Sequence, residues 1–260
     1  MKIYIFADLE GISGVSGKAY ISNDLNRLDL IALAREFMAE DINACIRGCV
    51  QSGADEIIVR DGHGGGFNVN RKMIDSRAFL INGDTPRERF ADIAGTDGLI
   101  LLGYHAMAGT ADAILEHTYN SSRVQNYWLN GRKVGEAGID AAIAAEHGVP
   151  VIMVSGDDKT CVEAADWIPG VVTCEVKKGY HWNGAKLPSL EKTRQLIEDK
   201  TVEAIAGIKD IPMLKLEYPV RLRLEVMERG LLSWHHNGQW LDGRTCELTA
   251  DSVEKALFCY

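Results

Sequence analysis

Four short runs of apolar residues, each ending abruptly in polar residues, constrain the fold of this chain most. The runs are KIYIF (2–6), EIIVR (56–60), GLILLG (98–103) and PVIMVSGDD (150–158). Continuous apolar runs of this length are typical of strands buried on both faces of a parallel sheet. Apolar residues at helical spacing lie between them, most clearly over residues 28–50. Strands that alternate with helices in this way predict an α/β protein.

Beyond these runs the pattern changes, which predicts a second, smaller part of the fold. VRLRLEVM (220–227) alternates apolar and charged residues, as a half-exposed strand does. We therefore expect a three-layer α/β/α core with a largely parallel sheet over residues 1–170. A smaller α+β domain or extension should follow over 171–260. Within the first part, Asn130-Gly131 predicts a two-residue hairpin turn, and AILEHTY (113–119) is expected to pair as a strand beside that hairpin.

Charge and composition exclude several classes of function. The 260 residues carry a formal net charge of −9, which argues against binding to nucleic acid and to anionic membranes. No apolar run approaches the roughly 18 residues of a transmembrane helix, and the N-terminus lacks the pattern of a signal peptide. The six cysteines follow neither a disulfide nor a zinc-binding spacing. We expect a cytoplasmic protein with reduced thiols.

Residues of metal-binding type follow the predicted strands, at the edge of the sheet where ligands collect in open α/β folds. They are Asp8 and Glu10 after the first strand, His63 after the second, His105 after the next long one, and Glu136 after the hairpin. Two imidazoles and three carboxylates suit zinc or another first-row divalent ion. Five ligands exceed what one catalytic zinc takes, so two ions with Asp8 as the bridge are the better fit. From spacing alone, a metal site and a set of ordinary loop residues are equally good interpretations of these five positions.

Other polar residues have two interpretations each. The glycines of DGHGGG (61–66) suit an anion-binding nest or a sharp turn beside the metal site, and we favour the turn. His117 suits a general acid/base, an oxyanion-stabilising group or a core histidine. Asp157 and Asp158 end a strand and are more typical of helix capping than of metal binding.

Taken together, six motifs give the sequence a family resemblance. DLEGISG (8–14), DGHG (61–64), LGYHA (102–106), the isolated His117, VGE-x-G (134–138) and VSGDD (154–158) occur in this order. In that order they resemble the M55 family of metallopeptidases, which includes a D-aminopeptidase. The motifs cover roughly residues 1–160.

The resemblance implies a dinuclear zinc centre and a role for each of the six candidate residues. Asp8, Glu10, His63, His105 and Glu136 match the positions of the metal ligands, and His117 matches a nearby position proposed to assist catalysis. It also implies a homo-oligomer, a decamer of two pentameric rings that encloses its active sites in a channel.

We therefore predict a zinc-dependent hydrolase of amide bonds, an aminopeptidase acting on short peptides with an N-terminal D-amino acid. The same two-metal centre also suits another small amide, a lactam or an ester as substrate. A non-catalytic peptide-binding module and a structural ring-forming protein are the alternatives outside enzymes. They predict, respectively, ligand binding without turnover and assembly that is indifferent to metal.

Overall fold

The computed structural model describes residues 1–22, 25–85, 88–231 and 238–258. The strands in chain order are β1 (Lys2–Ala7), β2 (Glu56–Asp61), β3 (Phe79–Ile81), β4 (Gly98–Leu102), β5 (Val124–Leu129), β6 (Arg132–Val134), β7 (Val151–Asp157), β8 (Val172–His181), β9 (Gly184–Lys186), β10 (Val220–Val226), β11 (Gln239–Trp240) and β12 (Thr245–Ala250). The longer helices are α1 (Leu28–Gln51), α2 (Glu136–Glu146), α3 (Asp158–Trp167), α4 (Leu190–Ala206) and α5 (Val253–Phe258).

A seven-stranded sheet forms the centre of the fold, in the order β3-β2-β1-β4-β7-β8-β9. All neighbours in it are parallel except β8 and β9, which pair antiparallel. The apolar runs of β1, β4 and β7 are buried almost throughout, because layers of structure cover both faces of the sheet. The predicted α/β fold with a largely parallel sheet is confirmed.

Two hydrophobic clusters lie on opposite faces of this sheet. On one face, α1 and α4 pack against each other and over the sheet, with Ile5, Ile42 and Ile197 in the shared core. On the other face, α2 and α3 contribute to a second core that contains Phe6 and Trp167. This arrangement gives the three layers that the sequence predicts. Among the described residues, no helix is both long and apolar enough to span a membrane.

A second, antiparallel sheet of five strands packs on the α2 side, in the order β11-β12-β10-β5-β6. The alternation in β10 has the expected cause, since Val220, Leu222 and Leu224 face this second core. The hairpin turn is as predicted: Asn130 and Gly131 both have positive φ between β5 and β6. Since β5 and β6 precede residue 170, the second sheet joins segments from both sides of the expected domain boundary, and the division at 170 stays a prediction.

The strand predicted over AILEHTY (113–119) is wrong, because this segment consists of turns, bends and irregular backbone. Leu115 and Tyr119 have positive φ, which no extended strand allows. Its backbone instead bonds to more distant parts of the chain: Ile114 N–H donates to Asp157 Oδ2 and Leu115 N–H to the carbonyl of Trp182. The irregular path has a consequence for the site, because it places His117 at the edge of the central sheet.

Candidate metal centre

The six site residues predicted from the sequence lie together at the carboxyl ends of the central strands. Asp8 and Glu10 follow β1, His63 follows β2, and His105 follows β4. Glu136 is the first residue of α2, directly after the hairpin, and His117 comes from the turn segment described above. Parallel strands end at the same edge of a sheet, which is why residues distant in sequence meet there.

The ligand-type atoms form two groups of three. In each group they lie within 4.8 Å of one another: Asp8, Glu10 and His63 in the first group, His105, His117 and Glu136 in the second. Separations of this size leave room for an ion at the centre of each group, since zinc–ligand distances are about 2.0–2.3 Å.

Asp8 connects the two groups. One of its oxygens, Oδ1, is 3.1 Å from His63 Nδ1 in the first group, and the other, Oδ2, is 3.4 Å from His105 Nε2 in the second. Within the groups, Glu10 Oε2 is 2.9 Å from His63 Nδ1, and Glu136 Oε1 is 3.2 Å from His105 Nε2. A carboxylate with one oxygen toward each group has the geometry of a bridging ligand.

The backbone determines which imidazole nitrogen faces the centre. His105 Nδ1 lies 3.1 Å from the carbonyl of Ala106, and His117 Nδ1 lies 2.8 Å from the carbonyl of Leu115. A carbonyl only accepts, so each Nδ1 donates its N–H to that carbonyl and each Nε2 faces the centre. The two rings stack with centroids 3.9 Å apart. His117 Nε2 is 3.9 Å from both Glu10 Oε1 and Glu136 Oε1, farther than the other contacts of the centre.

The charges of the cluster fit a cation. Burial lowers the pKa of His63, but Glu10 and Asp8 outweigh it and raise that pKa to about 11. Burial also lowers the pKa of His105, while Glu136 and Asp8 raise it to about 10. Three buried carboxylates therefore demand positive charge, which protons on the imidazoles or metal ions supply.

Two orphaned atoms support the metal interpretation. Glu10 Oε2 and His105 Nε2 are buried and form no hydrogen bond of acceptable geometry with any residue that the structure describes. Buried polar atoms without a hydrogen-bond partner are rare in folded proteins, and a position that binds an ion is one place where they occur. Together with the mixed imidazole and carboxylate donor set, these two atoms fit zinc.

Two glycines allow the loops after β1 and β4 to touch. A Cβ on Gly11 would lie 1.8 Å from the carbonyl oxygen of Tyr104, and one on Gly103 would lie 2.5 Å from that of Asp8. Gly103 also has a φ of +73°. The same approach lets Gly11 N–H donate to the carbonyl of Gly103 at 2.7 Å. The glycines of the DLEG and LGYH motifs thus bring Asp8 and His105 into one site.

Hydrogen bonds from Asp61 shape the glycine loop that carries His63. The buried Asp61 carboxylate accepts from the backbone N–H groups of Asn68 and Val69, at 2.6 and 2.8 Å. Gly66 N–H donates to the carbonyl of His63, and Gly64 and Gly66 both have positive φ. The loop is a turn, as favoured from the sequence. Asp157 caps α3 by accepting from Thr160 N–H, also as expected.

Lys177 is a supporting residue that sequence reasoning missed. It is 2% exposed, and its Nζ donates to the carbonyls of Glu10, Ile12 and Val15 at 2.6, 2.9 and 2.6 Å. Three hydrogen bonds from one ammonium fix the loop after β1 and hence the position of Glu10. A lysine within the buried half of a strand was the available signal, but its partners lie more than 160 residues earlier in the sequence.

We predict that Lys177→Met weakens zinc binding about ten- to hundredfold, because the loop that carries Glu10 loses its three hydrogen bonds. Chelator competition on the purified protein measures the affinity. Lys178→Met is the matched control, since Lys178 is the exposed neighbour. A folded Lys177→Met variant that binds zinc as tightly as the control would contradict this role.

Comparison with known proteins agrees with the fold and with the motifs. The sequence model of the peptidase M55 family, described as D-aminopeptidase, matches residues 1–259. A D-aminopeptidase of Bacillus subtilis (strain 168) is 33% identical over 239 residues, which cover 90% of this chain and 84% of that protein. The solved structure of the Zn-dependent D-aminopeptidase DppA from Bacillus subtilis, described as a self-compartmentalizing protease, superposes with a TM-score of 0.92 at 30% identity. It matches 100% of this chain and 95% of that one. The resemblance seen in the sequence motifs is therefore confirmed, and the chain belongs to the M55 peptidase family.

Proposed function

We propose that the protein removes the N-terminal D-amino acid from short peptides with two zinc ions per chain. As a member of the M55 family it is a metal-dependent aminopeptidase. The observation that supports a two-ion centre most is the pair of three-residue groups that Asp8 connects. The preference for D-residues and for zinc is supported by the descriptions of the relatives.

We assign the ligands as the sequence predicts them. Glu10 and His63 would hold one ion, His105 and Glu136 the other, and Asp8 would bridge both. The groups that contact Glu136 are consistent with a ligand role: Tyr119 N–H donates to its Oε1 at 2.7 Å, and the Arg89 guanidinium lies 3.7 Å from its Oε2. Both contacts fix the carboxylate in orientation. Zinc bound in such a site lowers the pKa of a coordinated water toward about 7 and polarises a substrate carbonyl.

His117 is the proposed proton carrier. Its Nδ1–H is held by the carbonyl of Leu115, so Nε2 is free to accept a proton from the attacking water. The same nitrogen then donates that proton to the leaving amine as the amide C–N bond breaks. Water adds to the carbonyl carbon, and the products are a free amino acid and a peptide shortened by one residue.

A cytoplasmic homo-oligomer, with a decamer as the specific form, is part of the same proposal. Self-compartmentalization is described for DppA, and enclosing the active site would restrict access to short peptides. The mass of the purified protein in solution tests the decamer, which should have ten chain masses.

Substrate and metal dependence test the function together. The zinc-loaded protein should hydrolyse D-alanyl peptides at least about a hundredfold faster than L-alanyl peptides, and chelation should abolish turnover until zinc is restored. Elemental analysis should give two zinc ions per chain. Cleavage only of a non-peptide amide or ester would refute the peptidase proposal. Peptide binding without turnover, unaffected by chelator, would make the protein a binding module.

His117→Ala should retain zinc and lower kcat about 10²- to 10⁴-fold, because the proton carrier is lost while the ligands stay. Zinc content and steady-state kinetics, measured on the same preparation, separate these effects. His147→Ala is the matched control, since His147 directly follows α2 and its Nε2 lies 3.6 Å from Glu254 Oε2, away from the centre. An unchanged kcat would remove His117 from the mechanism, and loss of one zinc would make it a ligand.

A further inference from the structure

A cavity of about 550 Å³ opens beside the metal centre, on the face of the central sheet opposite α1. Two of its lining residues, Gly62 and Gly64, flank His63 in the sequence. A third, Tyr119, donates its backbone N–H to Glu136. The cavity therefore borders both groups of the centre.

Arg60 on β2 lines this cavity and has no carboxylate partner among the described residues. Its side chain is buried, with the residue 8% exposed. Nη1 donates to the carbonyl of Gly83 at 2.5 Å and Nη2 to Thr85 Oγ1 at 3.1 Å, while the buried Nε has no partner in the described ranges. Both acceptors are neutral, so they fix the guanidinium without compensating its charge. Buried charges are normally paired.

The guanidinium of Arg89 lines the same cavity and differs from that of Arg60 in having a carboxylate partner. Arg89 forms two 2.8 Å hydrogen bonds to Asp140 and lies over the rings of Phe6 and Tyr119. Its charge is therefore compensated within the protein. Burial lowers the pKa of Arg60, and the nearby Arg89 lowers it further.

The acidic residues around Arg60 do not compensate its charge by an ion pair in the described part of the chain. Asp84 and Glu88 line the cavity but are exposed to solvent, and neither forms an ion pair with Arg60 in the described part of the chain. Asp61 uses its carboxylate to hold the glycine loop. Tyr4, Asp61 and Asp84 favour the charged form of Arg60 from a distance, so the guanidinium stays cationic. Nη1 and Nη2 each donate one N–H to a described residue, which leaves a second N–H on each for an external anion.

Arg60 lies close to the strand ends that carry the centre. It pairs in register with Phe6, two residues before Asp8, and it precedes His63 by three residues. At about 3.3 Å per residue, the backbone of Arg60 lies roughly 7 Å along the strands from the level of Asp8. The cavity that Arg60 lines thus adjoins the centre on the scale of a short peptide, whose residues each span at most about 3.3–3.6 Å.

We propose that Arg60 binds the C-terminal carboxylate of the substrate, which makes the enzyme selective for dipeptides and tripeptides with a free C-terminus. This inference rests on the proposed peptidase function and assigns the cavity as the subsite of the leaving residues. An arginine suits the role because its planar guanidinium donates several hydrogen bonds to a carboxylate.

D-alanylglycine and D-alanylglycinamide test the subsite, since they differ only in the carboxylate. The zinc-loaded wild-type protein should show a kcat/KM about ten- to hundredfold higher for the free acid, as expected for one charge-assisted contact. Arg60→Gln should remove this preference by lowering kcat/KM for the acid to the level of the amide, with little change for the amide itself. Arg71→Gln is the matched control, because Arg71 is exposed in a turn packed against α1 and should keep the wild-type ratio.

Equal kcat/KM values for the two substrates in the wild type would overturn the subsite, whether or not the variant folds. A folded Arg60→Gln protein that still prefers the acid would overturn the role of Arg60. If the wild type hydrolyses neither peptide, the peptidase proposal fails separately. Calorimetric binding of the two peptides then decides the subsite: tighter binding of the acid, lost in Arg60→Gln, supports it, and equal affinities refute it.

Discussion

Compensation of buried negative charge is the constraint on which the site depends. Asp8, Glu10 and Glu136 are each less than a tenth exposed and face one another at the edge of the central sheet. Three carboxylates in such a place repel one another strongly unless positive charge lies between them. His63 and His105 supply such charge when protonated, since the nearby carboxylates raise the pKa of both imidazoles well above the ordinary value. In the proposed function, divalent ions would replace those protons at the same side chains.

The surrounding structure restrains these charged groups in position. Lys177 fixes the loop of Glu10 from one side of the sheet, through backbone carbonyls rather than through the carboxylate itself. Arg89 lies near Glu136 from the other side, while its own charge is compensated by Asp140. Preorganisation of this kind is what metal centres require, because ligands held by neighbouring groups lose little entropy when the ion binds. The fold thus supplies rigidity where the chemistry needs it.

The sequence predicted the elements that local patterns determine. The buried strands β1, β2, β4 and β7, the hairpin at Asn130-Gly131 and the residue types of the centre all follow from short-range periodicity or from motifs. The segment 113–119, which contains His117, is predicted as a strand from its sequence, whereas contacts to Asp157 and Trp182 decide its path in the structure.

Long-range pairing explains what sequence reasoning missed. The roles of Lys177 and Arg60 depend on partners, or on the lack of one among the described residues, that only the folded chain reveals. The second sheet was also only half predicted, because β5, the hairpin partner of β6, pairs with β10 across roughly 90 to 100 residues of sequence. Neither charge pattern nor periodicity carries that information. The family motifs predicted the residues of the centre, whereas the residues that hold or border it were found only in the folded structure.

Anomalous X-ray scattering at the zinc absorption edge, from crystals of the zinc-loaded protein, tests the central claim most directly. We expect two peaks per chain, one within about 2.3 Å of Glu10 and His63 and one equally close to His105 and Glu136, with Asp8 contacting both. A single peak, or peaks elsewhere in the chain, would contradict the two-ion centre.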